Sequence, residues 1–129
     1  MQVTDVMTKA IISIESRKTI NDALELMVEN NIRRLPVLAQ GSLIGMIVQH
    51  DIEKALRSPE VVCDTPVDWV MTKKVITVSA DADLSEAIEL LLKNKISGMP
   101  VVQDGRVVGI LSETDILRLC QQLLAELER

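Results

Sequence analysis

Aromatic side chains are nearly missing from this chain: it has no phenylalanine, no tyrosine and one tryptophan, Trp69. A core must therefore be assembled from Ile, Leu, Val, Met and Ala. The same absence removes the stacking platforms on which single-strand and RNA binders lay bases. Basic charge is also short. The formal net charge is −5, and Arg17-Lys18, Arg33-Arg34 and Lys73-Lys74 are isolated pairs rather than a stripe, which argues against nucleic-acid binding as the main task. The two cysteines, Cys63 and Cys120, form no Cys-x-x-Cys, so free thiols in a reducing compartment are expected. No apolar run approaches the roughly 18 residues of a membrane span, and the first residues lack the apolar stretch of a signal peptide, so a cytoplasmic protein is expected.

Catalytic ingredients are equally scarce. His50 is the only histidine, and His50, Asp51 and Cys63 match no triad or metal-ligand spacing, so neither enzyme activity nor a metal site is expected. The glycines sit singly in hairpin and strand patterns, not in a phosphate-cradling loop. What is present reads as a globular chain: 129 residues, 47% hydrophobic and 26% charged, enough for one ordinary domain or two very small ones sharing a core.

The strongest signal is an internal repeat. Displaced by 64 positions, Met7-Thr8-Lys9 falls on Met71-Thr72-Lys73, Pro36-Val37 on Pro100-Val101, Gly41 on Gly105, Gly45 on Gly109, and Asp51-Ile52 on Asp115-Ile116. No gap is needed from Val3 to Leu56. Because prolines and glycines coincide, backbone geometry is repeated along with hydrophobicity. The division expected is repeat one over 1–57, a linker over 58–66 containing two prolines, and repeat two over 67–129.

Each repeat alternates strand and helix patterns. Ile11 to Ile14 reads as a short strand, and Thr19 with Asp22 caps a helix whose apolar stripe is Ile20, Ala23, Leu24, Met27 and Val28. Leu35 to Leu38 reads as a strand whose proline suggests a strand start or an edge. A tight turn at Gln40-Gly41 leads into a strand over Leu43 to Val48, and Ile52, Ala55 and Leu56 begin a second helix. Repeat two follows suit: a strand at Val75 to Val78, Asp83 with Glu86 as cap, a stripe of Leu84, Ala87, Ile88, Leu91 and Leu92, then a hairpin about Asp104-Gly105. Its last helix carries Ile116, Leu119, Cys120, Leu123, Leu124 and Leu127, ending in a solvated tail. A unit of about 55 residues buries too little surface to be comfortable alone, so the two are expected to pack about a pseudo-two-fold axis, with ligand clefts at their interface.

Gly109-Ile110-Leu111-Ser112-Glu113-Thr114-Asp115 runs a strand into a helix start, where free N–H groups and the helix dipole favour anions. Ser112 and Asp115 also match the spacing of a capping box, a device that only starts a helix. Asp115 is an acceptor suited to a vicinal diol such as ribose.

The combination of Asp5-Val6-Met7-Thr8, an apolar-Pro-Val strand, and a Gly-apolar-x-Ser/Thr-x-x-Asp close resembles the CBS domain, named after cystathionine β-synthase; two in tandem resemble a Bateman module. The resemblance covers nearly the whole chain and implies an α/β fold of two β-α-β-β-α repeats. It also implies a regulatory module that binds AMP, ADP, ATP or S-adenosylmethionine and signals to an effector protein in trans, as a homodimer. Each site is then built from both repeats. Site A takes Thr8, Ile11, Ile12, Arg33, Arg34, Leu35 and Pro36 with Ser112, Thr114 and Asp115; the arginines suit phosphates and Asp115 the ribose. Site B takes Asp51, Thr72, Val75 and Ile76 with Ser97, Gly98, Met99 and Pro100. There Val48 stands where Ser or Thr is expected and Ser97-Gly98 replaces the arginines, so site B is expected to be degenerate, with His50 a surface helix residue. The competing reading is a ligand-free module that serves protein–protein interaction.

Overall fold

The computed structural model describes residues 1–129. Two three-stranded sheets and four α-helices alternate along the chain. The first set comprises β1 (Ile14–Glu15), α1 (Ile20–Asn30), β2 (Arg34–Ala39), β3 (Ser42–Val48) and α2 (Gln49–Ala55). The second comprises β4 (Val78–Ser79), α3 (Leu84–Asn94), β5 (Gly98–Gln103), β6 (Arg106–Ser112) and α4 (Glu113–Leu127). In both sheets the middle strand pairs in parallel with the short first strand and antiparallel with the third.

The compact units do not follow the repeats. One unit is Met1–Ile11 with Ile76–Arg129, and the other is Ile12–Val75. The opening segment of repeat one thus packs on the sheet of repeat two: Val3 is fully buried with Val78, Leu84, Met99, Val101 and Leu111. In the other unit the opening of repeat two does the same, and Val67 is buried with Ile20, Leu35, Val37, Ile47 and Ile52.

Each opening segment attaches to a third strand through a pair of backbone hydrogen bonds. Thr8 N–H donates to the Ile110 carbonyl at 2.9 Å and Ile110 N–H to the Thr8 carbonyl at 3.0 Å; Met46 and Thr72 exchange bonds of 3.0 and 2.8 Å. This explains the strand glycines. A Cβ on Gly109 would lie 2.8 Å from the Thr8 carbonyl oxygen, and one on Gly45 would lie 3.0 Å from that of Thr72 and run into the Met71 sulfur. Only a residue without a side chain allows that approach.

The hairpin turns are as the sequence suggests. Gln40-Gly41 and Asp104-Gly105 all have positive φ, the geometry of a two-residue type I′ turn. The prolines lie in the middle strands, not in edge strands. Pro36 faces Met46, and Pro100 faces Ile110. Since Met46 and Ile110 direct their N–H and C=O groups to Thr72 and Thr8, each proline occupies a non-hydrogen-bonded pair and forfeits no ladder bond with the third strand. On its other side the first strand begins pairing one residue later, at Val37 and Val101. Each proline is therefore locally at an edge.

Three local expectations differ. The first strands are shorter and later than the apolar runs Ile11–Ile14 and Val75–Val78, because the passages between units fall at Ile11/Ile12 and Val75/Ile76. Asp83 occupies the N-cap of α3 but its carboxylate bonds no helix N–H; it accepts from Ser85 Oγ at 2.6 Å instead. Residues around 58–66 do more than connect. The carbonyls of Cys63 and Thr65 accept from Asn21 and Ile20 N–H at 3.1 and 2.9 Å, satisfying free donors in the first turn of α1.

Candidate functional site

The N-terminus of α4 is the best-organised polar cluster. Ser112 and Asp115 form a capping box: Asp115 N–H donates to Ser112 Oγ at 3.3 Å, and Ser112 N–H donates to Asp115 Oδ2 at 2.9 Å. The capping reading of this motif is therefore correct. Yet Asp115 does more than cap. Its Oδ1 accepts from the hydroxyl of Thr8 at 2.9 Å, a residue 107 positions away in sequence. Asp115 is 7% exposed as a residue, while Thr8 and Thr114 are exposed and Ser112 half-buried. An ionised carboxylate offers about four lone-pair sites, so Oδ1, with one donor, retains acceptor capacity, and the Thr8 hydroxyl can rotate aside. The chemistry is that of a fixed, two-oxygen acceptor.

The register of the third strand positions this pair. The exchange of bonds between Thr8 and Ile110 brings Thr8 beside the strand end that becomes the helix cap. Gly109 permits the approach. The pre-proline segment joins the same helix end: the Ser97 carbonyl accepts from Glu113 N–H at 2.9 Å. One unit therefore gathers Thr8, Ser112 and Asp115 around the start of α4, together with Ser97, which the sequence assigns to site B.

The other unit repeats the backbone without the side-chain network. The Arg33 carbonyl accepts from Gln49 N–H at 2.8 Å, so Arg33 and Arg34 lead into β2 beside the start of α2. Val48 takes the place of Ser112, and α2 has no side-chain cap. Asp51, in the place of Asp115, is half-buried, and His50 is exposed on α2. The exchange of a hydroxyl for an isopropyl group thus removes a cap as well as a candidate ligand contact. Leu35, Pro36, Met99 and Pro100 are buried, Gly98, Val75, Ile76 and Ile12 half-buried, and Ile11 and Thr72 exposed. Thr8, Ile11, Ser112, Thr114 and Asp115 belong to one unit, and Ile12 and Arg33 to Pro36 to the other.

One feature carries no sequence signal of function. Trp69, 76% exposed, borders a shallow hollow of about 490 Å³ with Ile44, Asp68, Met71 and Lys73. It stands where repeat one has Asp5, and only its rarity in this composition singles it out.

Comparison with known proteins matches the CBS domain model twice, over residues 3–58 and 67–121. This chain belongs to the CBS domain family. It is 33% identical over 116 residues to CBS domain-containing protein YhcV of Bacillus subtilis, covering 88% of this chain and 81% of that one. It is 36% identical over 119 residues to L-aspartate semialdehyde sulfurtransferase of Methanocaldococcus jannaschii, spanning 91% of this chain but 23% of the enzyme. Among solved structures, the CBS domain pair of protein MJ0100, in complex with 5′-methylthioadenosine and S-adenosyl-L-methionine, superposes with a TM-score of 0.86 at 35% identity, over 95% of this chain and 97% of that one. CBSX2 in complex with AMP superposes at 0.81 and 29%, over 95% and 97%. CBS pairs are generally regulatory modules, and the enzyme likeness is confined to a small part of the enzyme. No helix is long and apolar enough to cross a membrane.

Proposed function

We propose that this chain senses an adenosine-containing metabolite through site A, reading the ribose with Asp115. The observation that carries the reading is the buried Asp115 carboxylate, held by Thr8 from one side and by Ser112 from the other. A carboxylate held in this way accepts both hydroxyls of a vicinal diol once the Thr8 hydroxyl rotates aside, and Ser112 and Thr114 offer hydroxyls for the ribose or phosphate. Arg33 and Arg34 supply phosphate contacts, and Ile11, Ile12, Leu35 and Pro36 cover the base. Adenosyl ligands in complex with the CBS pair of MJ0100 and with CBSX2 support the ligand class.

Site B, with Asp51, Thr72, Val75, Ile76 and Ser97 to Pro100, is the weaker one. It lacks the Ser112 equivalent, and no arginine pair precedes Met99-Pro100. Charge-assisted hydrogen bonds are worth roughly 1.5–3 kcal/mol each, so affinity there falls by at least about tenfold. Ligand occupancy favours one conformation of the chain, and an effector protein preferring that conformation is coupled to ligand level in trans. A homodimer working in the cytoplasm completes the reading.

Calorimetric titration with AMP, ADP, ATP and S-adenosylmethionine tests it. Saturable binding near one ligand per chain, weakened tenfold or more in Asp115→Ala, is expected. Silence across the panel overturns ligand sensing and leaves a protein-interaction module.

A further inference from the structure

Trp69 replaces a residue that in the other repeat holds a turn together. There Asp5 accepts from Gln2 N–H at 2.8 Å and closes the opening turn. Pro66, in the place of Gln2, has no N–H to give, and its turn carries no side-chain cap. Position 69 is thus released from capping. The indole also stays out of the core that its neighbours Val67, Val70 and Met71 enter. Beside it, the hollow is floored by the half-buried Ile44 and Met71. Met71 crosses Gly45 so closely that a Cβ there would run into its sulfur, which fixes the floor. Lys73 lines the hollow and Lys74 follows it; both are exposed, and neither is in an ion pair. Asp68 is the only carboxylate in the lining. Two free cations against one acid make the place locally positive in a chain of net charge −5.

We propose that this hollow docks an extended segment of a partner protein, one with an apolar side chain and, two residues away, a carboxylate. Residues two apart in an extended chain share a face, so both reach the hollow together. The apolar side chain lies against Trp69, Ile44 and Met71. An exposed Trp is a favoured interface anchor, because a rigid indole loses little entropy on burial. The carboxylate meets Lys73 and Lys74, and Asp68 accepts a backbone N–H of the segment. The hollow is too shallow to enclose a small molecule as ligand pockets do. None of these residues belongs to site A or site B. This surface gives the effector reading above a partner chemistry; it rests on that reading but not on the choice of ligand.

Selection from a displayed library of random heptapeptides tests this surface. Enriched peptides are expected to pair an apolar residue with Asp or Glu two positions away. Emission of Trp69, the one tryptophan of the chain, is expected to shift to the blue as they bind. In calorimetry their affinity is expected to fall about tenfold or more in Trp69→Ala. Lys73→Glu with Lys74→Glu is expected to turn the selection toward Lys and Arg. Trp69 is exposed, so thermal melts of Trp69→Ala are expected to match the parent. An unenriched library, or peptides that bind Trp69→Ala as well as the parent, overturns the proposal. So does a blue shift with phosphatidylserine vesicles, which makes the occupant a membrane, or one that grows with protein concentration alone, which makes it a second copy. AMP titrated into the same protein keeps the readings apart: failure of the peptides while AMP binds overturns the docking surface and spares ligand sensing.

Discussion

Asp115 serves two purposes, and its substitutions separate them. Asp115→Ala removes one half of the α4 capping box, and cap losses cost about 1 kcal/mol; a small fall in Tm is expected in thermal unfolding. Ligand affinity is expected to fall by tenfold or more, since a charge-assisted contact of roughly 1.5–3 kcal/mol is lost. Ser112→Ala probes the cap more than the carboxylate and is expected to match the loss in Tm with a smaller loss of affinity. The arginines are tested by ligand chemistry. Arg33→Ala with Arg34→Ala is expected to weaken AMP, ADP and ATP together and to affect S-adenosylmethionine, which has no phosphate, much less. Equal losses for all four in calorimetry contradict a phosphate role. Gly109→Ala places a methyl 2.8 Å from the Thr8 carbonyl oxygen, and overpacking of this kind costs typically 1–3 kcal/mol. Chemical denaturation of that variant should show a lower midpoint.

Among the elements, α1 also starts on a full capping box. Thr19 Oγ1 accepts from Asp22 N–H at 3.1 Å and Asp22 Oδ2 accepts from Thr19 N–H at 3.0 Å. The Thr19 backbone N–H holds the Asp22 carboxyl below its usual range, helped by the Thr19 hydroxyl and by Lys18. A folded-state value below the unfolded one stabilises the fold above the unfolded value and loses that contribution as pH falls through the folded one. Stability from this cap is therefore present near neutrality and declines below about pH 4. Thermal melts of Asp22→Asn across the acid range should show a shallower decline than the parent, and parallel curves contradict this assignment. These helix starts were legible from Thr19 with Asp22 and from Ser112 with Asp115, because capping is local chemistry. Asp83 with Glu86 has similar spacing, yet its carboxylate turns to Ser85. Spacing marks the helix start without deciding where the side chain goes.

For the molecule as a whole, the repeat was written in coincident prolines and glycines, and with it the strand and helix order. Partner choice was not. The apolar residues of Val3–Met7 and Val67–Met71 say that these segments are buried, but burial alone names no surface. Gly45 and Gly109, isolated in otherwise largely apolar strands, were the hint that another backbone passes closely. The Thr8–Asp115 bond likewise has no local signal, since nothing near either residue joins positions 107 apart; only the family resemblance put both in site A. The asymmetry of Ser112 against Val48 was legible, and in the structure it separates a capped helix start from an uncapped one.

Whether the Asp115 carboxylate reads the ribose is tested by comparing AMP with its 2′,3′-dideoxy analogue in calorimetry, on the parent and on Asp115→Ala. Removing the hydroxyls is expected to cost the parent tenfold or more in affinity and to leave little difference between the two ligands in the variant. Equal affinity of the parent for AMP and the analogue would contradict it.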